Sequence, residues 1–221
     1  MVRVTAIISA YFAAPYLPGR LDNLRDQECI VLAVAQKDSA EARVLKLDGV
    51  DTILTDGVPT IYEAWNMMIE RAETPYITNA NCDDRIYPGM YKKMADALDR
   101  RKEYAVCYGN IDMVKEYEGE RQLIDAPEGG FDVLMNHCFP GPMPMWRRSL
   151  HDSYGLFNGD LKVAGDYEFW LRIAKAEEKF YKLQGGPVGM YLNRPDSAEH
   201  REATRALIES AKVRSPYIKR R

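Results

Sequence analysis

At 221 residues, 46% of them hydrophobic, the chain is long enough for one sizeable domain with a globular core. Its 30 basic residues against 33 acidic ones leave a formal net charge of -3, which excludes a general nucleic-acid binder. The four cysteines, Cys29, Cys82, Cys107 and Cys138, show no C-x-x-C spacing, as expected of reduced thiols in a cytosolic protein. No apolar run approaches the roughly 18 residues of a membrane span, so a soluble protein is expected. Val2 to Leu17, with a proline inside and no clear cleavage site, reads as strand and loop rather than signal peptide.

Val4 to Ile8 is a continuous β-branched run of the kind covered on both faces of a sheet. The stretch after it is broken by Pro15, Pro18 and Gly19. It holds neither G-x-G-x-x-G nor G-x-x-x-x-G-K-S/T, which argues against a Rossmann dehydrogenase and a P-loop ATPase. Cys29 to Ala35 is the second strand. Asp38 follows, and Asp38-x-x-Glu41 has the spacing of a helix cap with its reciprocal partner; the functional alternative is a contact to a nucleotide base or ribose. Val50 to Leu54 is a third strand. Thr60-x-x-Glu63 predicts a capping box, and Ile61, Ala64, Trp65, Met68, Ile69 and Ala72, at offsets 0, 3, 4, 7, 8 and 11, predict an amphipathic helix with its stripe in the core. Tyr62 and Asn66 lie on a neighbouring face that looks toward a cleft.

A β-prone run from Tyr76 ends in Asn81-Cys82-Asp83-Asp84, and Pro88 then opens a helix with Tyr91, Met94, Ala95 and Leu98 on one face. Tyr104 to Tyr108 is the next strand. This alternation predicts an α/β protein with a mainly parallel central sheet and helices on both faces. The second half is less regular and carries a smaller antiparallel portion: Ile111 to Val114 pairs with Gln122 to Ile124. Gly129 to Met135 reads as a helical turn, and the three prolines between Phe139 and Pro144 as an ordered loop. A helix follows Gly165 with Tyr167, Trp170, Leu171 and Ala174 on one stripe. Short strands at Lys179 to Leu183 and Val188 to Leu192 come next, and a last helix runs from about Asp196 or Ser197 to Lys212.

Two adjacent acids, Asp83 and Asp84, fall at a strand's carboxyl end, the edge where open α/β sheets bind ligands. They suit Mg2+ or Mn2+ bridging a diphosphate; the bland reading is a polar turn. Asp166, at a helix start, either caps that helix or acts as a general base toward an acceptor hydroxyl. The stretch Lys212 to Arg221 is distinctly basic, and is either solvated or in contact with an anionic membrane surface.

Taken in order, these residues resemble family 2 glycosyltransferases of the GT-A fold, from Val4 to about Arg201. Ile7-Ile8-Ser9-Ala10-Tyr11 is similar to the opening strand and loop, Lys37-Asp38-Ser39 to the base-binding region, and Trp65-Asn66 to the helix asparagine. Asn81-Cys82-Asp83-Asp84 with Tyr87-Pro88-Gly89 is similar to the metal and nucleotide motif. Trp146-Arg147-Arg148-Ser149, Gly155-Leu156-Phe157 and the run Asp166 to Arg172 resemble the acceptor-side block.

The resemblance implies a single GT-A-like domain: a nucleotide-sugar half over 1–110, an acceptor-side half over 111–195, and a C-terminal helix with a basic tail over 196–221. It implies inverting transfer from a nucleotide-sugar donor, with Asp166 as the base and Ser9, Tyr11, Asp38, Asn66 and Asp83 on the donor. Asp84, Asp83 and His200 hold the divalent cation, although His200 also reads as a solvent-facing helix residue. The implied acceptor is a carbohydrate or lipid-linked carbohydrate, as in polysaccharide biosynthesis, and the implied location is cytoplasmic, at the inner face of a membrane if the tail meets one. Ser9, Phe12, Lys37 and Asn81 depart from the family's usual residues, which bears on the contacts to base and ribose. Two alternatives remain: a non-catalytic nucleotide-sugar or carbohydrate-binding module of the same fold, and a nucleotidyltransferase, whose glycine-rich phosphate loop is missing here.

Overall fold

A computed structural model describes residues 1–195 and 198–218. The first half runs β1 (Val4–Ala10), α1 (Leu17–Arg25), β2 (Cys29–Gln36), α2 (Ala40–Leu47), β3 (Asp51–Thr55), α3 (Ile61–Arg71), β4 (Tyr76–Asn79), β5 (Arg85–Ile86), α4 (Met90–Arg100) and β6 (Tyr104–Tyr108). The second continues with β7 (Ile111–Val114), β8 (Arg121–Ile124), α5 (Phe131–Leu134), β9 (Met145–Arg147), α6 (Ser149–Tyr154), α7 (Gly165–Lys175), β10 (Lys179–Lys182), β11 (Gly189–Leu192), α8 (Ala198–Arg201) and α9 (Ala203–Arg214). The expected start of the last helix, Asp196 or Ser197, lies outside the described residues.

Seven strands form the central sheet in the order β10-β6-β9-β4-β1-β2-β3. All neighbours are parallel except β9, which runs antiparallel between β4 and β6. A smaller sheet, β5-β11-β7-β8, holds the expected antiparallel pair β7 and β8. Residues along β1 divide between two cores, as strand alternation requires: Val4, Ala6, Ile8 and Ala10 face α1, α2 and α4, while Ile7 faces α3 and α7. The sheet is therefore covered on both sides. Burying a leucine- or isoleucine-sized side chain in such a layer contributes about 1.5–3 kcal/mol each.

Two elements depart from the sequence reading. Within the proline-broken stretch lies α1, because Pro18 occupies the first turn, where no intrahelical N–H bond is needed. Its buried Leu17, Leu21 and Leu24 carry the helical period. β9 is only three residues long and has no alternation to read, yet it places the fully buried Trp146 at the sheet's centre.

Candidate functional site

The carboxyl ends of β1, β2 and β4 lie side by side, since β1 pairs with both others in register. Glu41 of α2 shapes the turn after β1: its Oε1 accepts from the N–H groups of Ala13 and Ala14 at 2.8 and 3.0 Å. That clamp holds Phe12 in the left-handed region at φ 55°, a costly conformation for a bulky residue, with its ring 79% exposed. Tyr11 turns back, its hydroxyl 2.7 Å from Thr55 Oγ1. Ser9 is partly buried at the end of β1, and its carbonyl faces the Cys82 thiol at 3.9 Å.

Asp38 is not the helix cap. Ser39 caps α2, accepting from Ala42 N–H at 3.0 Å, and the expected partner Glu41 is spent on the β1 turn. Asp38 instead sits exposed at φ 59°, its carbonyl held by Arg43, so its carboxylate stands at the sheet edge. The box at α3 forms as expected: Thr60 N–H donates to Glu63 Oε2 at 2.7 Å, and Glu63 N–H to Thr60 Oγ1 at 3.2 Å.

Asp83 and Asp84 occupy the turn after β4 and are held in different ways. Asp84 is 1% exposed; its Oδ2 accepts from Asn81 Nδ2 at 2.9 Å and its Oδ1 from Leu192 N–H at 3.3 Å. Burial, and then the charge of Asp83, push its carboxyl up to about 7. Asp83 receives both Nε and Nη2 of Arg194 on one oxygen, at 3.1 and 2.8 Å. The Arg194 guanidinium also lies over the Tyr16 ring, 4.5 Å from its centroid. The turn's carbonyls are held as well: Arg85 donates to Cys82 and Asp84, the buried Arg20 to Asp84, and the neutral Tyr117 hydroxyl to Asp83.

Carboxylates on two successive residues are the chemistry a hard cation takes, and Asp84 and Asp83 are the acids of this turn that could hold one; in the structure Asp84 is closed off and Asp83 is paired with Arg194. His200 is exposed on α8, and among the described residues no three His, Cys, Asp or Glu side chains assemble as a metal group. The expected three-ligand set of Asp83, Asp84 and His200 is therefore not brought together.

Asp166 is not a cap either. The cap position of α7 is Ala164 and makes no side-chain bond, while Asp166 is the second residue of the helix. Tyr62 donates its hydroxyl to Asp166 Oδ1 at 2.9 Å. A Cβ at position 165 would meet the Tyr62 ring at 2.5 Å, so only glycine allows the tyrosine this close to the base candidate. Burial raises the Asp166 carboxyl; the Tyr62 hydroxyl and the backbone N–H groups at the helix start pull it back down. Glu209 of α9 fixes the loop leading into α7, accepting from the N–H groups of Lys162, Val163 and Ala164 at 3.0–3.2 Å.

Asn66, expected to contact the donor, commits both ends of its amide to Phe157: Nδ2 donates to the carbonyl at 2.8 Å, and Oδ1 accepts from the N–H at 3.0 Å. It braces α3 against the segment leading to α7. Sequence reading missed Arg194, Glu41, Glu209 and the Tyr62–Asp166 contact, all of which join residues more than 25 apart.

A mostly parallel sheet flanked by helices, with acids gathered at its carboxyl edge, defines the class of GT-A transferases. Residues 5–157 match the model of glycosyl transferase family 2, and the chain belongs to that family. It is 22% identical over 185 residues to the uncharacterized glycosyltransferase YwdF of Bacillus subtilis, covering 79% of this chain and 69% of that one. The structure is similar to S. aureus TarS 1-349 in complex with UDP-GlcNAc, with a TM-score of 0.73, 18% identity and 91% of this chain covered. It is also similar to the mannosyltransferase PcManGT of Pyrobaculum calidifontis in complex with GDP-Man and Mn2+, with a TM-score of 0.70, 17% identity and 99% covered. This chain spans 61 and 65% of those two solved chains, less than two thirds of their length.

Proposed function

We propose that the chain moves a sugar from a nucleoside diphosphate sugar to an acceptor hydroxyl with inversion. The observation that carries this is the placement of Asp166, half-buried at the start of α7 and fixed by Tyr62, in a fold whose β4 edge presents Asp83 and Asp84. Asp166 takes the proton of the acceptor hydroxyl as that oxygen attacks the anomeric carbon from the face opposite the leaving group. In the same displacement the bond from the anomeric carbon to the diphosphate oxygen breaks, its electron pair leaves with the diphosphate, and the centre inverts. Asp84 and Asp83 would hold a divalent cation, which when bound would neutralise charge on the diphosphate.

Ser9, Tyr11 and Asp38 receive the base and ribose at the ends of β1 and β2, and the exposed Phe12 ring offers them a flat apolar face. Residues 1–110 then form the donor half, and 111–195 the side toward a carbohydrate or lipid-linked carbohydrate acceptor. The complexes of TarS with UDP-GlcNAc and of PcManGT with GDP-Man and Mn2+ support a nucleotide-sugar donor and a divalent cation.

The test is a panel of nucleotide sugars with Mn2+, read as release of nucleoside diphosphate and as thermal shift. Wild type is expected to release it, and Asp166→Asn to bind the same nucleotide without releasing it. Binding without turnover across a broad acceptor panel would favour a carbohydrate-binding module, and pyrophosphate release from a nucleoside triphosphate a nucleotidyltransferase.

A further inference from the structure

The charge of the chain is unevenly placed. Residues 201–221 hold seven basic residues and two acidic ones, in a protein whose net charge is -3. Both acids are engaged: Glu209 is bound to the backbone of the loop before α7, and Glu202 pairs with Arg205 at 3.1 Å. Val213 is buried on the inner side of α9, where Arg214 donates to the Met135 carbonyl.

The outer side is different. Leu207, Ile208 and Ala211 follow one another at helical spacing and are exposed, with Leu207 at 74% and Ile208 at 63%. Ile218, just beyond the helix and the turn that ends it, is 61% exposed as well. Lys212, next to Ala211 and four residues after Ile208, borders this stripe, and the sequence adds Lys219, Arg220 and Arg221 after it. An apolar stripe beside a lysine and followed by a run of cations, with Glu209 occupied elsewhere and Glu202 neutralised by Arg205, has the chemistry of a helix lying in the headgroup layer of an anionic bilayer. A second copy of the same stripe would bring its flanking cations against like charge.

We propose that the outer face of α9 docks on an anionic membrane surface, with Leu207, Ile208 and Ile218 entering the interface and the flanking arginines and lysines meeting lipid phosphates. Arg85 and Arg194 take no part, since both are committed to the Asp83–Asp84 turn. The Glu209 anchor ties the docked helix to the loop that leads into α7 and Asp166.

The test is co-sedimentation of the full chain with vesicles of phosphatidylcholine alone and with about 30% phosphatidylglycerol, at about 0.1 M and about 0.5 M NaCl. Binding is expected only to the anionic vesicles and only at the lower salt. The variant Leu207→Asp with Ile208→Asp is expected to lose binding about tenfold while keeping its melting temperature and nucleotide thermal shift. Replacing Lys219, Arg220 and Arg221 by serine is expected to weaken binding and flatten the salt dependence. The proposal is overturned by absent vesicle binding, by binding that the double aspartate variant retains, or by a dimer in light scattering that the same variant dissolves.

Discussion

Two regions of this molecule raise the pKa of a carboxyl, and they surround it with different neighbours. In the turn after β4, Asp84 is closed off beside the second acid, Asp83, while Arg20 and Arg85 spend their cationic groups on the turn's carbonyls rather than on its carboxylate. At the start of α7, the rise of Asp166 comes from burial, and a hydroxyl and helix N–H groups restrain it. In the proposed function the first pair of acids would receive a cation and the second acid a proton. The two carboxyls differ in their neighbours as well as in depth.

The largest expected effects come from removing each acid. Asp166→Asn is expected to lower kcat by about 10³-fold, in the range of lost general-base catalysis, with nucleotide affinity unchanged. Asp84→Asn is expected to lose transfer together with the Mn2+-dependent part of nucleotide binding, read by calorimetry with and without the ion. If the two variants share one phenotype, the comparison fails.

Next in size is a test of how α7 is seated. His151 accepts from Trp146 Nε1 at 2.9 Å, faces the Gly155 carbonyl through Nδ1 at 3.1 Å, and stacks on Phe169 of α7. Burial holds its ring down from 6.5 to about 4. Between those values the unfolded chain binds a proton that the folded one refuses, so stability falls as pH drops from 6.5 toward 4. The loss is expected to reach about 3 kcal/mol, and urea titrations of wild type against His151→Gln would isolate it. Gly165→Ala pushes a methyl into the Tyr62 ring; we expect about 1–3 kcal/mol of destabilisation and a kcat drop with little change in donor affinity.

The smallest expected effect is the most specific. Tyr62→Phe deletes a donor that favours the charged form of Asp166, so the carboxyl rises further. The acid limb of the kcat profile is then expected to move to higher pH, and kcat near neutrality to fall several-fold. An unmoved limb would show that Tyr62 does not tune the base.

Much of the framework was legible because period and propensity agree. The strand runs at Val4, Cys29 and Tyr104 and the Thr60-x-x-Glu63 box all formed where local chemistry placed them. β9 escaped because three residues carry no period, and α1 because its proline looks like a break until it falls in the first turn. In the candidate site, residue types were readable while their partners were not. Asp38 and Glu41 have ideal capping spacing, yet Ser39 wins the cap and Glu41 reaches the β1 turn, a competition settled only by tertiary packing. Asn66 likewise satisfies its amide on Phe157, 91 residues away. His200 came from family order alone, and the fold leaves it on an exposed helix. Among the described residues no helix is long and apolar enough to cross a membrane.

The central claim is that the Asp83–Asp84 turn binds a cation with a nucleoside diphosphate while Asp166 serves only the acceptor. Calorimetric titration of UDP and GDP into wild type, Asp84→Asn and Asp166→Asn, each with and without Mn2+, tests it most directly. The account predicts Mn2+-dependent binding of at least one nucleotide to wild type and to Asp166→Asn, and its loss in Asp84→Asn. Binding that ignores Mn2+, or that Asp166→Asn abolishes, would contradict it.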